Sequence, residues 1–207
     1  MDNTHQNDVM TRVAEVWSIE AESISNLVRR IDPTAFVSTV EALDGAARVA
    51  LTGAGTSAQA AKKIAHTLSC IDVPAYFFSP SDAVHGGLGV VTDADVAVLI
   101  SKGGNTHEIA ALLPGLRARR VPIIAVTENR ESEIGHAATI VLEVSVDKEP
   151  DAFNMLATAS TAAVVAVFDA LAIVLMERRG FTMDQFLTVH PGGAVGERLK
   201  GQKGENG

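Results

Sequence analysis

The sequence predicts an α/β chain: a doubly wound, five-stranded parallel sheet with two N-terminal helices ahead of it. Three observations carry that reading. Short apolar runs suited to strands alternate with longer stretches of helical periodicity. Two of those runs end in a glycine turn followed by a hydroxyl residue and a helix, at 51–57 and 101–106. The run at 95–101 is apolar almost throughout, as expected of a strand covered on both faces. Strands that alternate with helices pair in parallel and carry helices on both faces. Ligands of such sheets sit beyond the carboxyl ends of the strands, where both glycine turns fall.

Taken in order, residues 5–31 place Val9, Val13, Trp17, Ile24, Leu27, Val28 and Ile31 at roughly helical spacing. Asp32-Pro33 stops that helix and starts another, with Asp as cap and Pro in the first turn. Asp44-Gly45 ends the second. These helices cover the domain or pair with another subunit. The first strand, 48–52, runs through Gly53-Ala54-Gly55-Thr56-Ser57 into a helix at 58–70. A second strand is expected at 74–78, then a break at Ser79-Pro80-Ser81-Asp82, a short helical segment and His85-Gly86-Gly87. After the third strand, Lys102-Gly103-Gly104-Asn105-Thr106 leads into a single helix at 108–119. Strands follow at 121–127 and 139–144, with a helical turn or two at 132–137. Residues 156–179 form the longest helical pattern, interrupted by Asp169 and closed by Glu177-Arg178-Arg179-Gly180. That run is long enough to raise a membrane span, but its Ala-rich composition and α/β setting read better as a buried central helix. A short helix at 181–189, a turn at 190–194, a last short helix to 199 and a solvated tail complete the chain. The expected division is an N-terminal helical segment 1–45, one domain 46–200 and a flexible tail 201–207.

A chain of 207 residues can bury a sizeable core, and 47% hydrophobic residues exclude a disordered one. A net charge of −8 without a basic face argues against nucleic acid as partner. An anionic small molecule would need local donors that outweigh the global field. The single cysteine, Cys70, leaves no disulfide framework and no cysteine-based zinc site, and reads as a small buried residue after a helix. Residues 1–10 are polar and do not resemble a signal peptide, so cytoplasm is the expected compartment, with no membrane partner.

Either glycine turn alone could be an ordinary βα turn with a serine cap. Two of them on one sheet edge point to an anion, because glycine admits close backbone approach and a helix N-terminus favours negative charge. The segments Gly53-Ala54-Gly55-Thr56-Ser57, His85-Gly86-Gly87-Leu88-Gly89, residues 101–108, Lys148-Glu149-Pro150, Thr158-Ala159-Ser160-Thr161, Gly180-Phe181-Thr182 and His190-Pro191-Gly192-Gly193-Ala194-Val195-Gly196 carry a resemblance in order and spacing. Over about residues 30 to 200 the chain resembles the sugar isomerase (SIS) domain family, and within it the single-domain bacterial arabinose-5-phosphate isomerases. The resemblance implies a flavodoxin-like fold, a sugar-phosphate substrate and a homo-oligomer, a tetramer by analogy. Two positions depart from it. Thr56 stands where the family usually has an active-site lysine, and Gly103 where the phosphate turn usually has a second serine, with Lys102 beside it.

Aldose–ketose isomerisation needs a phosphate anchor, a group that opens the sugar ring, a base that moves a proton between C1 and C2, and donors for the oxyanion. No redox cofactor is required, and none is expected. The expected phosphate and substrate contacts are Gly55, Thr56, Ser57, Ser101, Lys102, Gly103, Gly104, Asn105 and Thr106. Glu149, just after the fifth strand, is the first choice for the proton-moving base, against its reading as an exposed loop carboxylate. Glu108 opens the helix after the phosphate turn; its charge suits the helix dipole, and the resemblance places it in the active site. His190 is assigned to ring opening or proton relay and His85 to binding of a sugar hydroxyl. The resemblance further implies that the residue matching His190 reaches a neighbouring subunit's site. His85, His190 and a carboxylate do not have the spacing of a metal-ligand signature, and metal is treated as non-essential. Lys62 and Lys63 read as a solvated helix face. The competing reading is a non-catalytic phosphosugar sensor or regulatory subunit; a third is another isomerisation of the family, such as that of 3-hexulose 6-phosphate.

Overall fold

The computed structural model describes residues 3–192. Within them, five strands form one parallel sheet: β1 (Arg48–Gly53), β2 (Ala75–Phe77), β3 (Asp95–Ile100), β4 (Ile123–Thr127) and β5 (Ile140–Glu143). Their order is β2-β1-β3-β4-β5, which confirms the doubly wound, flavodoxin-like sheet. The order reverses at β1, so β1 and β3 lie side by side and the two glycine turns emerge next to each other.

The alternation of side chains across the pleat builds two cores. Val49 and Leu51 of β1, Val96, Val98 and Ile100 of β3, and Ile124 and Val126 of β4 face one side. There they meet α1 (Asn3–Arg30), α2 (Pro33–Gly45), α3 (Thr56–Ser69) and α8 (Ala159–Arg178). Ala50, Ala97, Leu99, Ile123 and Ala125 face the other. That side is covered by α4 (Pro80–Ala83), α5 (His107–Ala110), α6 (Leu113–Ala118) and α7 (Glu133–Ala137). The last helix among the described residues, α9 (Met183–Val189), buries none of its residues.

Asp32 caps α2 by accepting the Thr34 N–H at 2.9 Å, with Pro33 in the first turn, as expected. The single helix expected at 108–119 is instead two pieces, α5 and α6. Pro114 lies in the first turn of α6; it has no N–H for the turn before it, so the chain restarts there. The membrane-length run at α8 is packed through Ala163, Val167, Phe168, Leu171 and Leu175 against the core, in contact with α1, α2 and α3. Its interrupting Asp169 is paired with Lys63 of α3. Lys62 lies over the Phe77 ring, its Nζ 5.0 Å from the centroid. Both lysines therefore hold specific partners rather than forming a plain solvated face. Cys70, expected to be buried, is half-exposed with Sγ 3.6 Å from His66 Nε2, because it caps α3 at the surface. The expected final helix to 199 and the tail lie outside the described residues.

Candidate active site

The carboxyl edge of the sheet is where the polar groups gather. After β1 the chain turns at Gly55, whose φ of 58° and ψ of −128° fall where side chains are strained, and α3 begins at Thr56. No side chain caps α3, contrary to the serine-cap reading of this turn. The first turn of this 14-residue helix brings the hydroxyl residues Thr56 and Ser57 to the cleft.

The second turn, after β3, closes on itself. Ser101 is buried; its Oγ lies 2.8 Å from Thr106 Oγ1 and accepts the Gly104 N–H at 3.1 Å. Gly104 has φ +72°, and a Cβ there would come within 1.9 Å of Ser132 Oγ. Asn105 turns its side chain away to accept the Glu133 N–H at 2.9 Å, capping α7. Thr127, at the end of β4, donates its hydroxyl to the Lys102 carbonyl at 2.8 Å. Thr127 and Ser132 thus brace the loop from behind. Sequence reasoning missed both; the signals were a hydroxyl at the tip of an apolar strand and one at the start of the helical turn at 132–137.

Glu149 is not the exposed loop carboxylate of the alternative reading. It is 2% exposed. Oε1 accepts from Lys102 Nζ at 2.8 Å, and Oε2 accepts the backbone N–H groups of Thr158 and Ser160 at 3.0 and 3.3 Å. The carboxylate therefore serves as the cap of α8, where the positive end of the helix dipole favours it. Thr158, at the cap position itself, leaves its own Oγ1 enclosed without a hydrogen-bond partner among the described residues. Burial pushes the Glu149 carboxyl up, but the Lys102 ammonium, the Ser160 side chain and the two N–H groups outweigh it and hold it below the ordinary value. Asn154 fixes the loop by accepting the Glu149 N–H at 2.6 Å. On the outer side, Arg12 of α1 donates to the Pro150 carbonyl.

Thr56, Ser57, Lys102, Thr127, Ser160 and Thr161 line one cleft, with Ile100, Val126, Val144 and Val164 as its apolar floor. Of the residues expected to act, the structure brings Thr56, Ser57 and Lys102 to this cleft, and Glu149 directly behind Lys102. Ser160 and Thr161 are the additions; their hydroxyls in the first turn of α8 were visible in the sequence but given no role. Glu108 is exposed in the first turn of α5, and His85 is exposed on the turn after α4. Neither lines the cleft. His190 ends α9, stacked on Phe186 at 4.0 Å between ring centroids. Its Nδ1 lies 3.0 Å from the Phe186 carbonyl, which can only accept, so Nδ1 carries the proton and Nε2 is the basic nitrogen. The rest of its motif, from Gly193, lies outside the described residues. No three of His, Cys, Asp and Glu converge into a metal-binding group among the described residues.

A doubly wound sheet with two glycine–hydroxyl turns side by side at its switch point, the second carrying a lysine paired to a buried carboxylate, has the form of an α/β domain whose cleft lies at the carboxyl ends of the strands. The chain belongs to the SIS domain family, whose model matches residues 42–174. It is 39% identical over 199 residues to the arabinose 5-phosphate isomerase KdsD of Pseudomonas aeruginosa, covering 95% of this chain and 61% of that protein. It thus spans little more than half the length of the curated relatives it matches. Among solved structures, a Listeria monocytogenes protein named provisionally as a sugar-phosphate isomerase superposes with a TM-score of 0.89 at 46% identity, covering 93% of this chain and all of that one. An Escherichia coli CFT073 protein solved in complex with arabinose 5-phosphate gives a TM-score of 0.86 at 30% identity, covering 92% of this chain and all of that one.

Proposed function

We propose that the chain is a phosphosugar aldose–ketose isomerase, with arabinose 5-phosphate to ribulose 5-phosphate as its leading reaction. The observation that carries this reading is the buried Glu149 carboxylate behind a cleft lined by Lys102 and the hydroxyl residues of two helix N-termini. The arabinose 5-phosphate complex of the Escherichia coli protein and the name of the Pseudomonas relative support the choice of sugar.

In this mechanism the phosphate rests on the α3 N-terminus, Ser57 and Thr56, with Lys102 supplying the nearest positive charge. Ser101, Gly103, Gly104, Asn105 and Thr106 hold the second turn in shape beside it. Glu149 removes the C2 proton of the open-chain aldose while O1 gains a proton, giving a cis-enediol. Loss of the O2 proton and return of a proton to C1 then give the ketose. Proton transfer within one substrate leaves no net electron demand, so these steps call on no redox cofactor. Glu108 is assigned as an auxiliary acid or base, His85 as a hydroxyl contact and His190, through Nε2, as the ring-opening group. Because α9 buries nothing in its own chain, His190 is assigned to the site of a neighbouring subunit. The exposed apolar side chains Trp17, Ile24 and Val28 of α1 and Ile173 and Val174 of α8 support a homo-oligomer, a tetramer in this proposal.

The test is incubation with a panel of aldose and ketose phosphates in heavy water. Deuterium at C2 of the aldose supports the isomerase. Saturable binding without exchange on any substrate supports a phosphosugar sensor instead.

A further inference from the structure

Lys102 stands between two partners. Its Nζ lies 2.8 Å from Glu149 Oε1, yet 39% of its side chain is exposed and it lines the cleft with Thr56, Ser57 and Thr161. The carboxylate cannot follow a ligand. Its side chain is fully enclosed, and Oε2 is fastened to the first turn of α8 by the Thr158 and Ser160 N–H groups. The lysine can follow, on a flexible four-carbon stem carrying a single point charge. It is also the one cationic group among the described residues that line the cleft. In a chain of net charge −8, Lys102 is the counter-charge that the described lining of the cleft offers an entering anion.

We propose that Lys102 is a substrate-operated switch on Glu149: the phosphate or sugar oxyanion draws Nζ away from Oε1, and the carboxylate becomes a competent base only with substrate in place. This inference rests on the isomerase reading and names the regulation of that site. In the free protein the ammonium occupies the lone pair that would take the substrate proton, so the base is capped as well as charged. Losing an opposite charge at contact distance raises a buried carboxylate by about one pH unit or more.

The other groups around Glu149 do not take over the ammonium's place. Asn154 faces its backbone N–H; Asp151 is turned onto the N–H groups of Phe153, Met155 and Leu156 in its own loop. Arg12, paired with Glu15, reaches only the Pro150 carbonyl, and Lys148 is exposed. From α8 the contacts are the Thr158 and Ser160 N–H groups and the Ser160 side chain, none of which carries a charge.

The test is carbon-detected NMR of the full chain labelled at the Glu carboxyl carbon, with the Glu149 signal identified by its loss in Glu149→Gln. The pH midpoint of Glu149 is followed without ligand and with saturating arabinitol 5-phosphate, which lacks a carbonyl and cannot be isomerised. The expected result in the wild type is a rise of about one pH unit or more on binding. In Lys102→Met the free protein should already show the raised midpoint, and ligand should add little. In turnover, the acid limb of kcat should lie above that of kcat/KM in the wild type, and the two should merge in Lys102→Met. An analogue that binds without moving the wild-type midpoint overturns the switch and leaves the isomerase reading standing. A Lys102→Met midpoint equal to that of the free wild type also overturns it. An analogue that shifts no signal at any concentration removes the phosphosugar reading, and the switch with it.

Discussion

Replacing Gly104 by alanine tests whether the second turn is held by close backbone approach. The substitution meets two penalties. At φ +72° an L side chain costs about 1–2 kcal/mol. The new methyl would lie 1.9 Å from Ser132 Oγ, 2.4 Å from Ser132 Cβ and 2.9 Å from Thr127 Oγ1. Ser132 is buried and its hydroxyl accepts the Gly135 N–H at 3.3 Å, so it has little room to yield. Overpacking of this kind costs about 1–3 kcal/mol. The sum, about 2–5 kcal/mol, corresponds to roughly 4–20 °C in Tm at this chain length. Ser132→Gly removes the obstructing atoms at small cost, since glycine is tolerated at a helix N-cap to within a few tenths of a kcal/mol. The double variant Gly104→Ala/Ser132→Gly should therefore keep the backbone penalty and the milder Thr127 contact, recovering at least about 1 kcal/mol against the sum of the single variants. Urea unfolding of the four proteins gives that coupling. Simple additivity would refute the close-approach argument and leave backbone strain alone to account for the glycine.

Three further outcomes are expected. Glu149→Gln should still bind sugar phosphate, because its amide oxygen can accept the Thr158 N–H, while turnover falls about 10²–10⁴-fold in a coupled or deuterium-exchange assay; near-normal turnover removes Glu149 from the base role. Asp95→Asn breaks a pair at the opposite sheet edge, where the enclosed carboxylate accepts Arg48 Nε and Nη2 at 2.9 and 2.8 Å and the Thr92 N–H at 2.8 Å. Burial pushes Asp95 up, but those donors hold it below the ordinary value, so its contribution is complete above the ordinary carboxylate range and lost as pH falls through the lowered folded value. The variant should lose about 2 kcal/mol near neutrality and show a shallower acid limb in Tm against pH, with ligand affinity unchanged; equal acid limbs would remove Asp95 from that role. Trp17→Glu, at a side chain 63% exposed on α1, should shift the mass measured by light scattering towards the monomer without lowering helix content by circular dichroism. An unchanged mass would place the subunit contact elsewhere.

The sheet, its parallel sense and the edge bearing the site follow from local sequence. A short apolar run such as 95–100, bounded by turn residues, fits a doubly covered strand, and a Gly–hydroxyl turn between strand and helix must lie at the strand's carboxyl end. The Asp32-Pro33 cap is equally local. The break between α5 and α6 is legible at Pro114 but is overridden by the apolar spacing around it. What the sequence could not state is which polar groups face inward. Ser101, Asn105 and Gly104 look like free phosphate contacts in one dimension. In the fold Ser101 closes the turn, Asn105 caps α7 and the Gly104 N–H is already bonded to Ser101.

Glu149 marks the division most clearly. The chain places a carboxylate after β5, and the family resemblance gives it a role. Only the tertiary structure decides that it is buried, that it caps α8 nine and eleven residues on, and that it meets a lysine 47 residues away. Backbone geometry and hydrophobic periodicity are properties of neighbours in sequence, so the sequence alone determines them. A carboxylate's charge, burial and proton affinity depend on groups brought together across the sheet, and those are properties of the fold.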